Sequence, residues 1–153
     1  MNHLRTLAIG VSVIAAGTGV SAAYGSGSQV NGQGQTHLSA SLGFNAKSDR
    51  SGQLNYNADP NGANAGFSAH CSGYNFYRSL ITPAGFPEVV LGATCTDENG
   101  ATVYLWAAFV DKGEPGSADR ENILWGHTLP VTHANAFIND GGLISNGNIQ
   151  IHD

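Results

Sequence analysis

Apolar and polar residues alternate one by one along several short segments of this chain, and this period of two constrains the fold more than any other feature of the sequence. The clearest segment covers residues 38–46, and a second, at 53–57, follows a turn at 48–52. Successive side chains of a β-strand point to opposite faces, so such segments form half-buried antiparallel strands. We expect these two to pair as a hairpin.

The two most apolar segments, 88–96 and 101–111, flank the turn sequence 97–100, whose Asp, Asn and Gly residues favour a tight hairpin. The composition is equally typical of strands and turns, with 21 glycines and only 11% charged residues, against about 25% in average soluble domains. About eight short strands without an amphipathic helix predict an all-β fold. We expect a two-sheet antiparallel sandwich, jelly-roll or immunoglobulin-like in outline.

The charge pattern argues against two classes of partner. The formal net charge is −5, and the six lysines and arginines are scattered along the chain. Nucleic acid binding needs a basic patch to neutralise phosphates, and anionic membranes attract clustered basic residues. We therefore predict neither a nucleic-acid partner nor a membrane anchor.

The N-terminus has the pattern of a secretory signal peptide. Arg5 provides the positive start, residues 7–20 form a short apolar run, and small residues at 21–23 suit cleavage after Ala22 or Ala23. With no cysteine at the cleavage region, we expect release rather than a lipid anchor. The prediction is a signal peptide at 1–23, a flexible Gly/Ser/Gln leader at 24–36, and one secreted, extracellular domain at 37–153.

Export gives the two cysteines a role. In an oxidising compartment Cys71 and Cys95 are expected to form a disulfide. The alternative, a metal-binding pair, lacks the short spacing of known zinc sites.

The segment 111–119 allows two interpretations. Asp111, Glu114 and Asp119 flank one loop, and hard oxygen ligands of this kind suit a calcium ion. The alternative is a structural turn shaped by its glycines and by Pro115, with Asp119 closing it. Apart from this calcium ion, the sequence predicts no cofactor.

Aromatic residues suggest a ligand-binding surface. Tyr104 and Trp106 share one face of the strand predicted at 101–111, and Trp125 lies further along the chain. Their rings could stack on sugars or on another protein. The alternative is a central strand buried on both faces.

Catalytic motifs are weak. Residues 66–70 match only part of a nucleophile elbow, and the histidines are too scattered for a metal-binding helix. We therefore predict a non-catalytic module with a structural or interaction role, whose partner is an extracellular glycan or protein. A carbohydrate-binding module is the first alternative, and an enzyme with an unfamiliar site is the second.

Two stretches carry a family resemblance. The segment 110–119, with the sequence VDKGEPGSAD, and the ending 142–152 together resemble the post-COAP family of secreted bacterial domains. Residues 44–46 and 52–56 look like the opening strand pair of that family, so the resemblance covers roughly residues 34–152. It implies a β-sandwich accessory module with no established activity, and hence no active site to transfer.

Overall fold

The structure, a computed structural model, describes residues 29–116 and 118–152, and these form ten strands and no helix. The predicted signal peptide at 1–23 and residues 24–28 of the predicted leader lie outside them. The strands are β1 (Gln29–Gln35), β2 (Ser41–Lys47), β3 (Gly52–Asn57), β4 (Ser68–Ser72), β5 (Phe76–Ile81), β6 (Pro87–Asp97), β7 (Thr102–Val110), β8 (Arg120–Gly126), β9 (Ala136–Leu143) and β10 (Ser145–His152). The all-β prediction is confirmed, and no helix of the described residues could cross a membrane.

All ten strands belong to one antiparallel sheet. The order is β10-β1-β2-β3-β4-β6-β7-β8-β9, with β5 paired to β6 beyond the end of β4. β6 has eleven residues, so it pairs with β7 along one side and with both β4 and β5 along the other. The antiparallel pairing is as predicted, but the hydrogen-bonded ladder runs unbroken from β10 to β9 and does not divide into two sheets.

The two end strands of this sheet are consecutive in the chain and are separated by Ile144 alone. β9 pairs with β8, and β10 pairs with β1, so one stretch of chain meets both ends of the meander. The sheet therefore curls into a nearly closed barrel with its apolar side chains inside. Phe44 of β2 and Phe109 of β7 meet across this interior, with ring centroids 4.0 Å apart.

β1 corrects the predicted flexible leader, because residues 29–35 form a strand with β10 on one side and β2 on the other. Val30 is its buried anchor. A Cβ on Gly32 would lie 2.2 Å from the Phe44 ring, so that ring fills the space a side chain would take. Glycine inside a strand commonly marks such a close approach. It also removes the apolar alternation by which a strand is found in a sequence.

The predicted disulfide is confirmed. Cys71 of β4 and Cys95 of β6 are joined, and their Cα atoms lie 4.3 Å apart. The ladder between these two strands has only two registered pairs, Ala69 with Asp97 and His70 with Thr96. The covalent bond therefore fastens β4 to β6 where few backbone contacts hold them together.

Candidate functional site

A shallow groove of about 480 Å³ lies on the outer face of β7, β8 and β9. Its floor is Ala108, whose small side chain leaves a depression between larger neighbours. We call it the Ala108 groove. Its lining includes Glu88, Trp106, Val110, Arg120, Asn122, His133 and Asn139.

Strand register explains why these side chains meet. Ala108 lies opposite Asn122 on β8, and Trp106 follows two positions along the same face of β7. At the other end, Glu88, Val110 and Arg120 form one row across three strands. Neighbouring strands are about 4.8 Å apart, so the acidic and basic residues stand on either side of the valine, roughly 10 Å from each other. Neither side chain has a hydrogen-bond partner among the described residues, so both charged groups are available to a ligand.

Amide groups complete the wall of the groove. Asn139 Nδ2 lies 3.0 Å from His133 Nδ1, which fixes this pair in position. The buried Oδ1 of Asn122 has no hydrogen-bond partner among the described residues. Buried polar atoms in folded proteins are nearly always paired, so the unpaired oxygen of this amide is an exception within the fold. The groove thus combines one indole ring, two amides and two opposite charges.

The three predicted aromatic residues have different environments. Trp106 is half-buried and lines the groove, whereas Tyr104 lies two positions along the same face of β7, outside it. Trp125 is 0% exposed and packs inside the barrel, with its ring centroid 5.7 Å from that of Tyr56 and 5.5 Å from that of Phe67. The burial of Trp125 corrects the expectation that its ring is presented to a ligand.

The carboxylates of the predicted calcium loop bind backbone N–H groups of the protein, near the place where the two ends of the sheet meet. Asp119 accepts hydrogen bonds from the backbone N–H groups of Lys112, at 2.8 Å, and Ile149, at 2.7 Å. Asp111 accepts one from Ile151 at 2.9 Å. Their carboxylates therefore occupy the place of a neighbouring strand along β10. We call the contacts of residues 120–152 with the facing loops 36–40 and 111–119 the seam.

Glu114 also binds β10, through side chains on its exposed face. Its Oε1 accepts hydrogen bonds from the side chains of Asn148 and Gln150, and these bonds hold the pKa of Glu114 below its ordinary value. Burial raises the pKa of Asp119. Within the described residues no three His, Cys, Asp or Glu side chains are placed to hold one metal ion. The calcium hypothesis gains no support from this geometry, because the carboxylates bind protein donors instead.

The second half of the seam contains two buried carboxyl groups that the sequence analysis missed. Asp140 accepts hydrogen bonds from the hydroxyls of Thr36 and Tyr56 and from the backbone N–H of Leu38. Glu121 accepts one from the backbone N–H of His37 at 3.0 Å. Together they tie the turn at 36–40 to β8 and β9.

A signal for these two residues was present in the sequence. Glu121 alternates with Ile123 and Trp125 on β8, and Asp140 alternates with Ile138 on β9, so the period of two places both carboxyl groups inside. Burial raises the pKa of Glu121 to about 7, and the neighbouring Asp140 adds to the effect. Glu121 is 3% exposed and Asp140 is 0% exposed, so both residues are shielded from solvent, although Glu121 belongs to the lining of the Ala108 groove.

Similarity to known proteins does not identify the chain. No family model, curated protein or solved structure matches it. The resemblance to post-COAP domains therefore stays a prediction, and the function has to be argued from geometry.

Glu121 makes folding stability depend on pH. Its pKa is about 7 in the folded chain and 4.5 as an ordinary glutamate, so between these values only the folded state binds the proton. The contribution of Glu121 to stability is therefore complete below about pH 4.5 and falls by about 2–3 kcal/mol as the pH rises to 7. Urea denaturation followed by tryptophan fluorescence at pH 5 and pH 7.5 measures this difference. The control is Glu121→Gln, which keeps an acceptor for His37 and should remove most of the pH dependence; an equally steep dependence in that variant would contradict the assignment.

Proposed function

We propose that this protein is an exported, non-catalytic binding module whose Ala108 groove holds a short saccharide. The disulfide supports export, because such bonds form and persist in oxidising compartments. The predicted signal peptide points the same way. The resemblance to post-COAP domains, with the accessory sandwich module that it implies, fits the same role.

One observation carries the proposal: Trp106 stands beside a polar depression instead of being buried. Binding sites for small molecules combine an apolar or aromatic surface with a few polar groups that fix orientation. A sugar presents both kinds of surface, since C–H groups on its ring face can stack on an indole while its hydroxyls donate and accept hydrogen bonds.

The polar groups around the indole suit such a ligand. Asn139 can donate and accept, Asn122, whose Oδ1 is buried, can donate, Arg120 donates only, and Glu88 only accepts when it is ionised. A ring stacked on Trp106 and lying over Ala108 would therefore find partners for hydroxyls on two sides. A volume of about 480 Å³ lies within the range of small-molecule sites, about 300–1,000 Å³.

Replacing the indole tests the function. Screening the processed protein against a panel of soluble oligosaccharides should identify ligands, and calorimetry then measures affinity. Trp106→Ala should weaken the best ligand by about 2 kcal/mol, or roughly 30-fold, because a tryptophan in a binding site often dominates the affinity. The matched control is Tyr104→Ala, which removes an aromatic ring from the same face of the same strand outside the groove. Absence of any saccharide ligand, or equal losses in both variants, would contradict the proposal.

A further inference from the structure

The outer face of β1, β2 and β3, on the other half of the barrel, consists almost entirely of uncharged polar side chains. Apart from Lys47 at the end of β2, none of the outward residues of these strands carries a charge. We call this surface the amide face. Its defining residues are Asn31, Gln33, Asn45, Gln53, Asn55 and Asn57.

The residues of the amide face have a low preference for β-strands, so they do not favour the fold. Asparagine and glycine are depleted in β-strands, where β-branched and aromatic residues are favoured. Residues that break a local structural preference in an otherwise consistent fold tend to mark functional surfaces. The amide face breaks this preference at successive outward positions, while the inward residues of β2 and β3, such as Leu42 and Leu54, follow the usual pattern.

Register sets the amides in rows across the strands. Asn45 lies opposite Asn31 on one side and opposite Gln53 on the other. The next row is formed by Gln33, Gly43 and Asn55. The first row therefore presents an amide about every 4.8 Å, the spacing of neighbouring strands, and the two amides of the second row stand about twice that distance apart. Within the described residues the side chains of Asn31 and Gln33 have no hydrogen-bond partner, so their donors and acceptors are free.

A depression lies where the second row lacks a side chain. A Cβ on Gly43 would meet nothing within 4 Å, and the backbone there is not in the left-handed region that favours glycine. The fold therefore does not require glycine at this position. The resulting cavity, of about 620 Å³, is walled by amide and hydroxyl side chains that include Gln33, Ser41 and Asn57.

The chemistry of the face selects its partner. A carboxamide both donates and accepts hydrogen bonds, as a sugar hydroxyl does, whereas a face whose one charged side chain is Lys47 offers few ion pairs to phosphates, uronic acids or basic proteins. Several rows side by side suit a ligand with repeating units better than a single small molecule. We propose that the amide face binds an uncharged polysaccharide chain, with one sugar ring seated over Gly43.

Adsorption to insoluble polymers tests this proposal. The processed protein should bind microcrystalline cellulose or insoluble β-1,3-glucan, and bind a polygalacturonate gel much more weakly. Gly43→Thr fills the depression with a residue that strands favour, and Gln33→Glu adds a charge to the face. Each should lower the partition coefficient at least tenfold while far-ultraviolet circular dichroism stays unchanged. Asn99→Asp, which adds the same charge in the turn between β6 and β7, should have no effect.

Three outcomes would overturn the inference. The first is the absence of adsorption to every neutral polymer. The second is adsorption that Trp106→Ala abolishes and Gly43→Thr leaves intact, which would assign the polymer to the Ala108 groove. The third is concentration-dependent dimerisation, seen by sedimentation velocity and lost in Gly43→Thr, which would make a second copy of the chain the partner. The groove proposal is tested separately with soluble oligosaccharides and does not fail with this one.

Discussion

Replacing Gly147 by alanine is expected to destabilise the fold severely. A Cβ at this position of β10 would lie 1.8 Å from the carbonyl oxygen of Gln33 and 2.4 Å from the Cα of Gly34. Both atoms belong to the backbone of β1, so no side-chain rotation can relieve the contact. The strands would have to separate at a point where their register already shifts, between residues 33 and 35. We expect a loss above about 4 kcal/mol, which is exceptional for a single substitution.

The same fold supplies the control. Gly43→Ala is the same substitution on the neighbouring β2, where the added methyl group would have open space around it. It should leave the free energy of unfolding unchanged or raise it by about 0.5 kcal/mol, because glycine in a strand costs conformational entropy. Urea denaturation of both variants compares them directly. A Gly147→Ala protein as stable as Gly43→Ala would show that β1 and β10 are not packed as described.

Loss of the disulfide is expected to have the second largest effect. Replacing both Cys71 and Cys95 by alanine opens a loop with a sequence separation of 24, and on the chain-entropy model this costs about 3–4 kcal/mol. The packing environment adds to the loss, because both residues are buried in the core. Since β4 and β6 share only two registered pairs, few backbone contacts remain to replace the bond.

Denaturation of the double variant, alongside the wild-type protein with and without a reductant, measures this contribution. The reduced wild-type protein and the variant should both unfold at lower urea concentration than the oxidised protein. A difference below about 1 kcal/mol would mean that the ladder alone holds β4 in place, contrary to the expectation for a disulfide of this loop length.

The sequence predicts the strands whose inner positions are apolar. The segments at 53–57 and 88–111 match β3 and the hairpin of β6 and β7 closely, because Leu54, Leu91 and Leu105 alternate with outward residues. The first segment begins too early, since Leu38 is 42% exposed in the turn before β2. Where the inner positions are apolar and buried, the period of two is sufficient.

β1 and β9 were not predicted, because some of their inner positions are not apolar. Gly32 takes an inner position of β1 because the Phe44 ring occupies the space, and Asp140 takes one in β9 because it binds the turn at 36–40. A close approach or a buried carboxylate replaces the apolar residue that a pattern search requires. The alternation with Ile138 places Asp140 on the inner face, but the segments that it and Gly32 contact are distant in the chain, so local sequence does not reveal those partners.

The groove could likewise be predicted only in part from the sequence. Trp106 was predicted, whereas the polar residues around it come together only through the pairing of β6, β7, β8 and β9. Trp125 shares the phase of Ile123 on β8, which indicates burial, but the apolar Leu124 on the opposite face weakens this signal in the sequence. The division into two sheets failed because β6 is long enough to bridge strands that a sandwich would separate.

The carboxylates along β10 have a consequence for solubility. An outer strand with unpaired backbone N–H groups can template the addition of a strand from another molecule, which is the first step toward fibrils. The backbone N–H groups of Ile149 and Ile151 instead donate hydrogen bonds to Asp119 and Asp111, and an ionised carboxylate has no donor to offer an incoming strand. An edge strand whose N–H groups are occupied in this way is a poor template for intermolecular strand pairing at high protein concentration.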